Sequence, residues 1–248
     1  MKNLYSNNYS QINLYKNKSS KSELVTQMIF GNAFYVLSKH PNWWKIKILE
    51  DKYVGFIKKR RFIKFFKPTH KVASLSARVF QSPNFRKQIG NLTFGSKIKF
   101  EEKKSKFYKF NKNMWIEKKN VKPIKFKDKN CFSRIKVFKD IKYKWGGKSY
   151  KGIDCSGLVQ VILNFNNIYC PRDAKDQAKY FKRKVKLKNL KKNDLIFWKG
   201  HVAVALSKNK VIHAYGPLKK TVIMNTSKTI KRIEDTAELK VLSVKRVN

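Results

Sequence analysis

The chain has 248 residues, a hydrophobic content of 42% and 18 phenylalanines, a composition that argues against disorder and allows two or three small domains. Its formal net charge is +44, but the 59 lysine and arginine residues are spread along the whole sequence. Spread charge is weaker evidence for a binding face than a basic cluster. We therefore expect no specific nucleic-acid partner, only non-specific attraction to polyanions at low salt.

The sequence shows no sign of a membrane span or of secretion. No apolar run has the length of a membrane-spanning helix, and the N-terminal residues lack the apolar core of a secretory signal. The three cysteines include no Cys-x-x-Cys pair, which fits a reducing compartment and argues against a disulfide framework or a zinc site. These features predict a cytoplasmic protein.

The first half of the chain reads as many short strands separated by turn residues, a pattern typical of small barrels. Residues 89–98 resemble residues 24–33 in their order of apolar residues followed by glycine. This similarity predicts an internal repeat, with one barrel at residues 1–70 and a second at residues 71–128. Both units resemble bacterial SH3-like domains.

Residues 129–248 differ from the first half in having helical patterns followed by strand patterns, an order that predicts an α+β domain. A helical opening is expected over residues 131–141, followed by a glycine-containing loop at 143–148. Leu158, Ile162 and Phe165 then have the spacing of a packed helix. A polar helix reaches Gln177, and the rest reads as strands at residues 195–198, 202–206 and 210–215, with edge strands at 222–223 and 241–244.

Cys155 stands directly before the apolar helix, where Asp154 or Ser156 could cap the helix start. Unpaired amide groups and the helix dipole favour negative charge in the first turn. We therefore expect the Cys155 thiol to be shifted toward the reactive thiolate. The alternative is a buried cysteine that only packs.

Two of the four histidines, His201 and His213, fall on neighbouring predicted strands joined by a turn at residues 207–210. In such a hairpin both imidazoles can lie on one face near the same end. A histidine beside Cys155 can accept the thiol proton, and a polar residue behind that histidine can fix its orientation. Alternatively, either histidine alone could be a packing or surface residue.

Several blocks of this chain, in order and with matching spacing, resemble the NlpC family of papain-like bacterial cell-wall cysteine peptidases. The resemblance is greatest to γ-D-glutamyl-L-diamino-acid endopeptidases of the dipeptidyl-peptidase VI type, which have N-terminal SH3-like domains. It implies a papain-like α+β domain at residues 129–248 behind the two barrels. The matching blocks are these: Tyr143-x-Trp145-Gly146-Gly147, Asp154-Cys155-Ser156-Gly157-Leu158-Val159-Gln160, Pro171-Arg172-Asp173, Asp194-Leu195-Ile196-Phe197-Trp198 and Gly200-His201-Val202-Ala203.

The resemblance implies a catalytic role for four residues. Cys155 would attack the amide between D-Glu and the diamino acid, His201 would be the base and His213 the orienting residue. Tyr143 would place its hydroxyl near the oxyanion, with the Cys155 amide as a second donor. The substrate's free L-Ala amine would be held by acidic and hydroxyl groups, for which the candidates are Glu23, Asp154, Ser156, Asp173 and Tyr53.

The chain also departs from the pattern of the family. Ala174 stands where these enzymes often have serine, and Phe56 where they often have tyrosine or tryptophan, a place that Tyr53 could fill. Both departures bear on affinity for the free amine and not on the nucleophile. Two other interpretations stay open, namely that Asp154 is only a helix cap and that Glu23 is only a solvated strand residue.

The sequence therefore predicts a monomeric cysteine endopeptidase that works without cofactor or metal. Its substrates would be peptidoglycan-derived peptides with a free N-terminal L-Ala, in muropeptide recycling. One alternative is a non-catalytic SH3-type protein that binds cell-wall peptides. Another, supported by charge alone, is a basic nucleic-acid-binding protein.

Overall fold

The computed structural model describes residues 3–247 and divides into two compact units. The N-terminal unit comprises the residues up to Lys127 together with Lys148–Tyr150, and the C-terminal unit comprises Asp128–Gly147 and the residues from Lys151 onward. None of the helices in the described chain is long and apolar enough to cross a membrane.

The N-terminal unit is built from antiparallel strands. Its strands are β1 (Leu4–Ser6), β2 (Gln11–Tyr15), β3 (Leu24–Ile29), β4 (Ala33–Lys39), β5 (Trp43–Ile48), β6 (Val54–Lys58), β7 (Ile63–Lys64), β8 (His70–Val72), β9 (Ser76–Phe80), β10 (Gln88–Thr93), β11 (Lys97–Ile98), β12 (Glu102–Lys104), β13 (Phe107–Asn111), β14 (Met114–Glu117), β15 (Val121–Pro123) and β16 (Lys148–Ser149). A 3₁₀ turn spans Lys118–Asn120.

Strands β1 to β7 form one sheet in the order β3-β2-β6-β5-β4-β1-β7, and β8 to β15 form two sheets in the orders β10-β9-β14-β13-β12 and β11-β8-β15. Each set encloses its own core, around Phe34 and Ile46 in the first and Val72 and Ile116 in the second. The alternation of apolar residues that predicts these strands is seen in β5, where Trp44, Ile46 and Ile48 are all buried.

The two sets of strands nevertheless belong to one compact unit. Phe30 from the first half packs in the second core, and Lys97 Nζ lies 2.9 Å from Glu50 Oε1. Gly31 has φ +80°, and a Cβ there would lie 2.0 Å from the carbonyl oxygen of Lys97, so this junction requires glycine. The division at residue 70 therefore stays a prediction.

The C-terminal unit combines helices with a six-stranded antiparallel sheet, as the predicted α+β plan requires. Its elements in chain order are β17 (Gly152–Ile153), α1 (Cys155–Phe165), α2 (Ala174–Tyr180), β18 (Lys184–Val185), β19 (Asp194–Trp198), β20 (His201–Ala205), β21 (Lys210–Tyr215), β22 (Lys220–Asn225), α3 (Thr226–Ala237) and β23 (Ser243–Arg246). The strands of the sheet lie in the order β18-β23-β19-β20-β21-β22. Three 3₁₀ turns lie at Ile135–Phe138, Leu187–Asn189 and Gly216–Leu218.

Helix α1 is the central element of this unit. All its residues except Asn164 are buried. Its apolar residues are enclosed as the helix packs against β20 and β21, and its buried polar side chains, Ser156 and Gln160, have hydrogen-bond partners in Arg172 and the carbonyl of Cys170. This burial fixes the position of its N-terminus, where Cys155 stands, relative to the sheet.

One helix prediction for this unit was wrong, and one helix was missed. The helical opening over 131–141 is only a 3₁₀ turn at Ile135–Phe138, since Asn130 Oδ1 accepts from the amide of Phe132 and Asp140 adopts φ +64°, which favours turns over helix. Helix α3 was missed. Its signals are the Asn225 cap, which accepts from the amide of Lys228, and Ile233 on its buried face.

Candidate active site

Cys155 is the first residue of α1, and Asp154 caps the helix. Asp154 is extended, with φ −100° and ψ 176°, and its Oδ1 accepts from the amide of Gly157 at 2.7 Å. The thiol is buried, with its Sγ 3.9 Å from the carbonyl oxygen of Gly200. The amide of Val202 also interacts with this sulfur, so the nucleophile lies against the start of β20.

His201 stands between these two sulfur contacts, Gly200 and Val202, as the first residue of β20. Gly200 has φ +73° in the turn that joins β19 to β20, a conformation that glycine adopts without strain. His201 Nε2 lies 2.8 Å from His213 Nδ1 on β21. The predicted hairpin and the pairing of its two histidines are therefore confirmed.

The histidine pair requires one tautomer if His201 is to act as a base. His201 Nδ1 accepts a proton only when His201 Nε2–H donates to His213 Nδ1, which puts the proton of neutral His213 on its Nε2. Among the described residues, that buried Nε2 has no hydrogen-bond partner. The His213 ring stacks on Tyr215 with centroids 4.9 Å apart, and this packing fixes its plane.

Burial keeps the site uncharged at rest. It raises the pKa of Cys155 to about 12, with a further rise from the negative charge of Asp154 and opposing effects of nearby amides. It also lowers the pKa of His201 to about 4. The prediction of a thiol shifted toward thiolate was therefore wrong, because burial outweighs the helix N-terminus. The resting pair is a thiol and a neutral imidazole, so the proton moves as the sulfur attacks.

The depressed histidine pKa values predict a loss of stability in acid. Burial and the neighbouring His201 lower the pKa of His213 from 6.5 to about 3. Below pH 6.5 the unfolded chain therefore binds protons that the folded chain excludes. Each unit of difference between the folded and unfolded pKa values lowers the free energy of unfolding in acid by about 1.4 kcal/mol. We expect the melting temperature to fall from pH 6.5 to pH 4, and less steeply in His213→Asn than in the wild type. Equal slopes would contradict the assignment.

Tyr143 lies beside the nucleophile. It forms a parallel bridge with Ile153, and its amide donates to the carbonyl of Lys219 at 2.8 Å. Burial, above all, raises the pKa of the Tyr143 hydroxyl, and the neighbouring Cys155 and Asp154 oppose a further negative charge there. The hydroxyl therefore stays protonated and can donate a hydrogen bond to an oxyanion that forms next to Cys155.

Arg172 holds the carboxylate of Asp154, a contact that the sequence reasoning missed. Its Nη1 donates to Asp154 Oδ1 at 3.0 Å and its Nη2 to Oδ2 at 2.6 Å, while Nη1 also donates to Ser156 Oγ at 2.9 Å. Asp154 Oδ2 further accepts from the amide of Gly146 at 2.8 Å. The sequence signal for this contact was the Pro171-Arg172-Asp173 block, because an arginine that the fold buries needs a carboxylate partner.

The predicted amine-binding residues are divided between the two units. Asp154 and Ser156 interact with Arg172, and Asp173 precedes α2 as its N-cap residue. In the N-terminal unit, Glu23 is 44% exposed with Lys16 Nζ at 3.5 Å, and Tyr53 packs partly buried against the first core. The role of all five in binding an amine stays a prediction, as does the effect of Ala174 and Phe56.

Two segments of the chain match known families. Residues 140–234 match the NlpC/P60 family, and residues 14–61 match the bacterial dipeptidyl-peptidase SH3 domain. The first match includes all four predicted catalytic residues. Within residues 3–247, no group of three or more histidine, cysteine or acidic residues is arranged to hold a metal ion.

Two curated proteins and one solved structure are similar to this chain. The chain is 39% identical over 72 residues to dipeptidyl-peptidase 6 of Lysinibacillus sphaericus, a match that covers 29% of this chain and 27% of that protein. It is 27% identical over 232 residues to γ-D-glutamyl-L-lysine dipeptidyl-peptidase of Bacillus subtilis, over 84% of this chain and 77% of that protein. A crystal structure of an NlpC/P60 family protein from Bacillus cereus has the same fold, with a TM-score of 0.82 and 19% identity, over 98% of this chain and 99% of that chain.

Proposed function

We propose that this chain, which has an NlpC/P60 peptidase domain at residues 140–234 behind a bacterial dipeptidyl-peptidase SH3 domain at residues 14–61, is a cysteine endopeptidase of peptidoglycan-derived peptides. The observation that supports this most strongly is the contact of 2.8 Å between His201 and His213, since His201 opens β20, the strand whose Val202 amide contacts the Cys155 sulfur. A nucleophile, a base and an orienting group are the parts that acyl transfer requires.

The first half of the reaction forms a thioester. The Cys155 thiol gives its proton to His201 Nδ1 while Sγ bonds to the carbonyl carbon of the scissile amide. The oxyanion accepts hydrogen bonds from the Tyr143 hydroxyl and the Cys155 amide. The carbon–nitrogen bond then breaks, and the leaving amine takes the proton from His201.

The second half releases the acid and restores the enzyme. His201, neutral again, takes a proton from water as the water oxygen bonds to the thioester carbonyl carbon. The carbon–sulfur bond breaks, and Sγ recovers a proton from His201. The thiol proton leaves with the amine and a proton from water replaces it, so the thiol and the neutral imidazole are restored and the cycle needs no cofactor.

The substrate we propose is the γ-D-glutamyl–diamino acid bond in peptides with a free N-terminal L-Ala. The support is the similarity to the Bacillus subtilis relative, which is named as a γ-D-glutamyl-L-lysine dipeptidyl-peptidase. The candidates for the amine site are Glu23, Asp154, Ser156, Asp173 and Tyr53, since a desolvated ammonium needs paired charge. Such peptides arise in muropeptide recycling, and we place the enzyme there as a cytoplasmic monomer.

Release of the diamino acid tests the proposal. The protein is incubated with L-Ala-γ-D-Glu linked to L-Lys or to diaminopimelate, and with N-acetylated forms of both. We expect the free-amine peptides to be cleaved at least tenfold faster, since one lost charge pair is worth about 1.4 kcal/mol or more. No release from any peptide would overturn the proposal, and binding without release would favour a wall-peptide-binding protein. Equal cleavage rates with and without the acetyl group would contradict the proposed binding site for the free amine.

A further inference from the structure

Asp154 presents an electrostatic problem beside the nucleophile. Its carboxylate caps α1 through Gly157 and stabilises the helix start. A negative charge next to Cys155 also opposes formation of a thiolate there. The same residue therefore positions the cysteine and makes its ionisation harder.

Arg172 is placed to cancel that charge. Its side chain is 1% exposed, and its two contacts to the two oxygens of Asp154 are 3.0 Å and 2.6 Å long. A bidentate guanidinium–carboxylate pair is both strong and fixed in orientation. Asp154 Oδ2 also accepts from Gly146, so the pair joins the loop after Tyr143 to the start of α1.

The backbone that carries Arg172 is itself held from two helices. Gln160 of α1 donates to the carbonyl of Cys170 at 3.0 Å. Gln177 of α2 donates to the carbonyls of Pro171 and Ser156, both at 2.9 Å. Because both glutamine side chains are fully buried, the position of the guanidinium is set before any substrate binds.

We propose that Arg172 is a positioning residue for this reaction, one that neutralises and orients the Asp154 carboxylate so that Cys155 can lose its proton during attack. This inference rests on the proposed function. The positive charge of Arg172 counteracts the effect of Asp154 on the pKa of Cys155. The other titratable groups around the sulfur are Tyr143, His201 and, behind it, His213.

The test uses charge variants and a readout that needs no peptide substrate. The full chain is alkylated with iodoacetamide from pH 5 to pH 10, and modification of Cys155 is followed by peptide mass. We expect Arg172→Met to slow alkylation about tenfold near neutral pH, because one unit of thiol pKa changes the thiolate fraction tenfold. Asp154→Asn should accelerate it, and Asp154→Asn/Arg172→Met should return to within about threefold of the wild type.

The double variant separates charge from a merely structural role. Arg172→Lys, which keeps the charge, should recover most of the rate, whereas a purely structural role would leave the double variant as slow as Arg172→Met. An unchanged rate in folded Arg172→Met would overturn the proposal. If Arg172→Met does not fold, the alkylation rate of Asp154→Asn is the test. A rate for Asp154→Asn equal to that of the wild type would overturn the proposal. Because alkylation does not depend on peptidase activity, failure of the proposed function is seen separately, in the peptide assay.

Discussion

Replacing Cys155 by alanine is expected to abolish release of the diamino acid from L-Ala-γ-D-Glu-diamino-acid peptides. Every covalent step of the proposed reaction passes through its Sγ. Loss of a nucleophile that acts as a unit with its base typically costs roughly 10⁴-fold or more in turnover. The measurement is kcat/KM from the released diamino acid, for wild type and variant.

Cys131→Ala is the matched control for this variant. Cys131 is a partly exposed cysteine outside any disulfide, its pKa is raised by burial, and it has no part in the proposed reaction. We expect its kcat/KM to stay within about twofold of the wild type, as for substitutions away from the reacting groups. Activity retained in Cys155→Ala, or lost in Cys131→Ala, would contradict the assignment of the nucleophile.

Much of the C-terminal unit could be predicted because local pattern and packing agree there. The spacing of Leu158, Ile162 and Phe165 indicated α1, and the turn after β20 indicated the hairpin that brings His201 to His213. These elements are buried, so their apolar periodicity is strong. Helix α3 was missed because it is mostly exposed and polar, and only a narrow stripe around Ile233 packs inward.

The electrostatics of the site could not be predicted from sequence. A helix N-terminus favours a thiolate, and the sequence shows that Cys155 occupies one. How deeply the thiol is buried depends on residues distant in sequence, such as Gly200 and Val202. The partner of Arg172 is likewise set by tertiary structure, since only the fold brings its guanidinium to both oxygens of Asp154.

Replacing Asp154 by alanine is expected to give a large loss of stability. The change removes a helix cap and leaves the guanidinium of Arg172, 1% exposed, without the carboxylate that neutralises it. Breaking a buried ion pair by removing one partner costs about 3–5 kcal/mol. For a chain of this length we expect the melting temperature of the C-terminal unit to fall by roughly 10 °C, measured by circular dichroism.

Three variants separate the possible causes of that loss. Asp154→Asn keeps one acceptor oxygen, which can still cap α1 through the amide of Gly157, and loses the second, so it should lose less stability than Asp154→Ala. Asp154→Ala/Arg172→Met removes the unpaired charge and should recover part of the stability. Asp140→Asn removes the charge of an exposed carboxylate that pairs with Lys220 and suits the positive φ at this position, so it should melt close to the wild type. A double variant no more stable than Asp154→Ala would show that the lost cap, and not the unpaired Arg172, dominates.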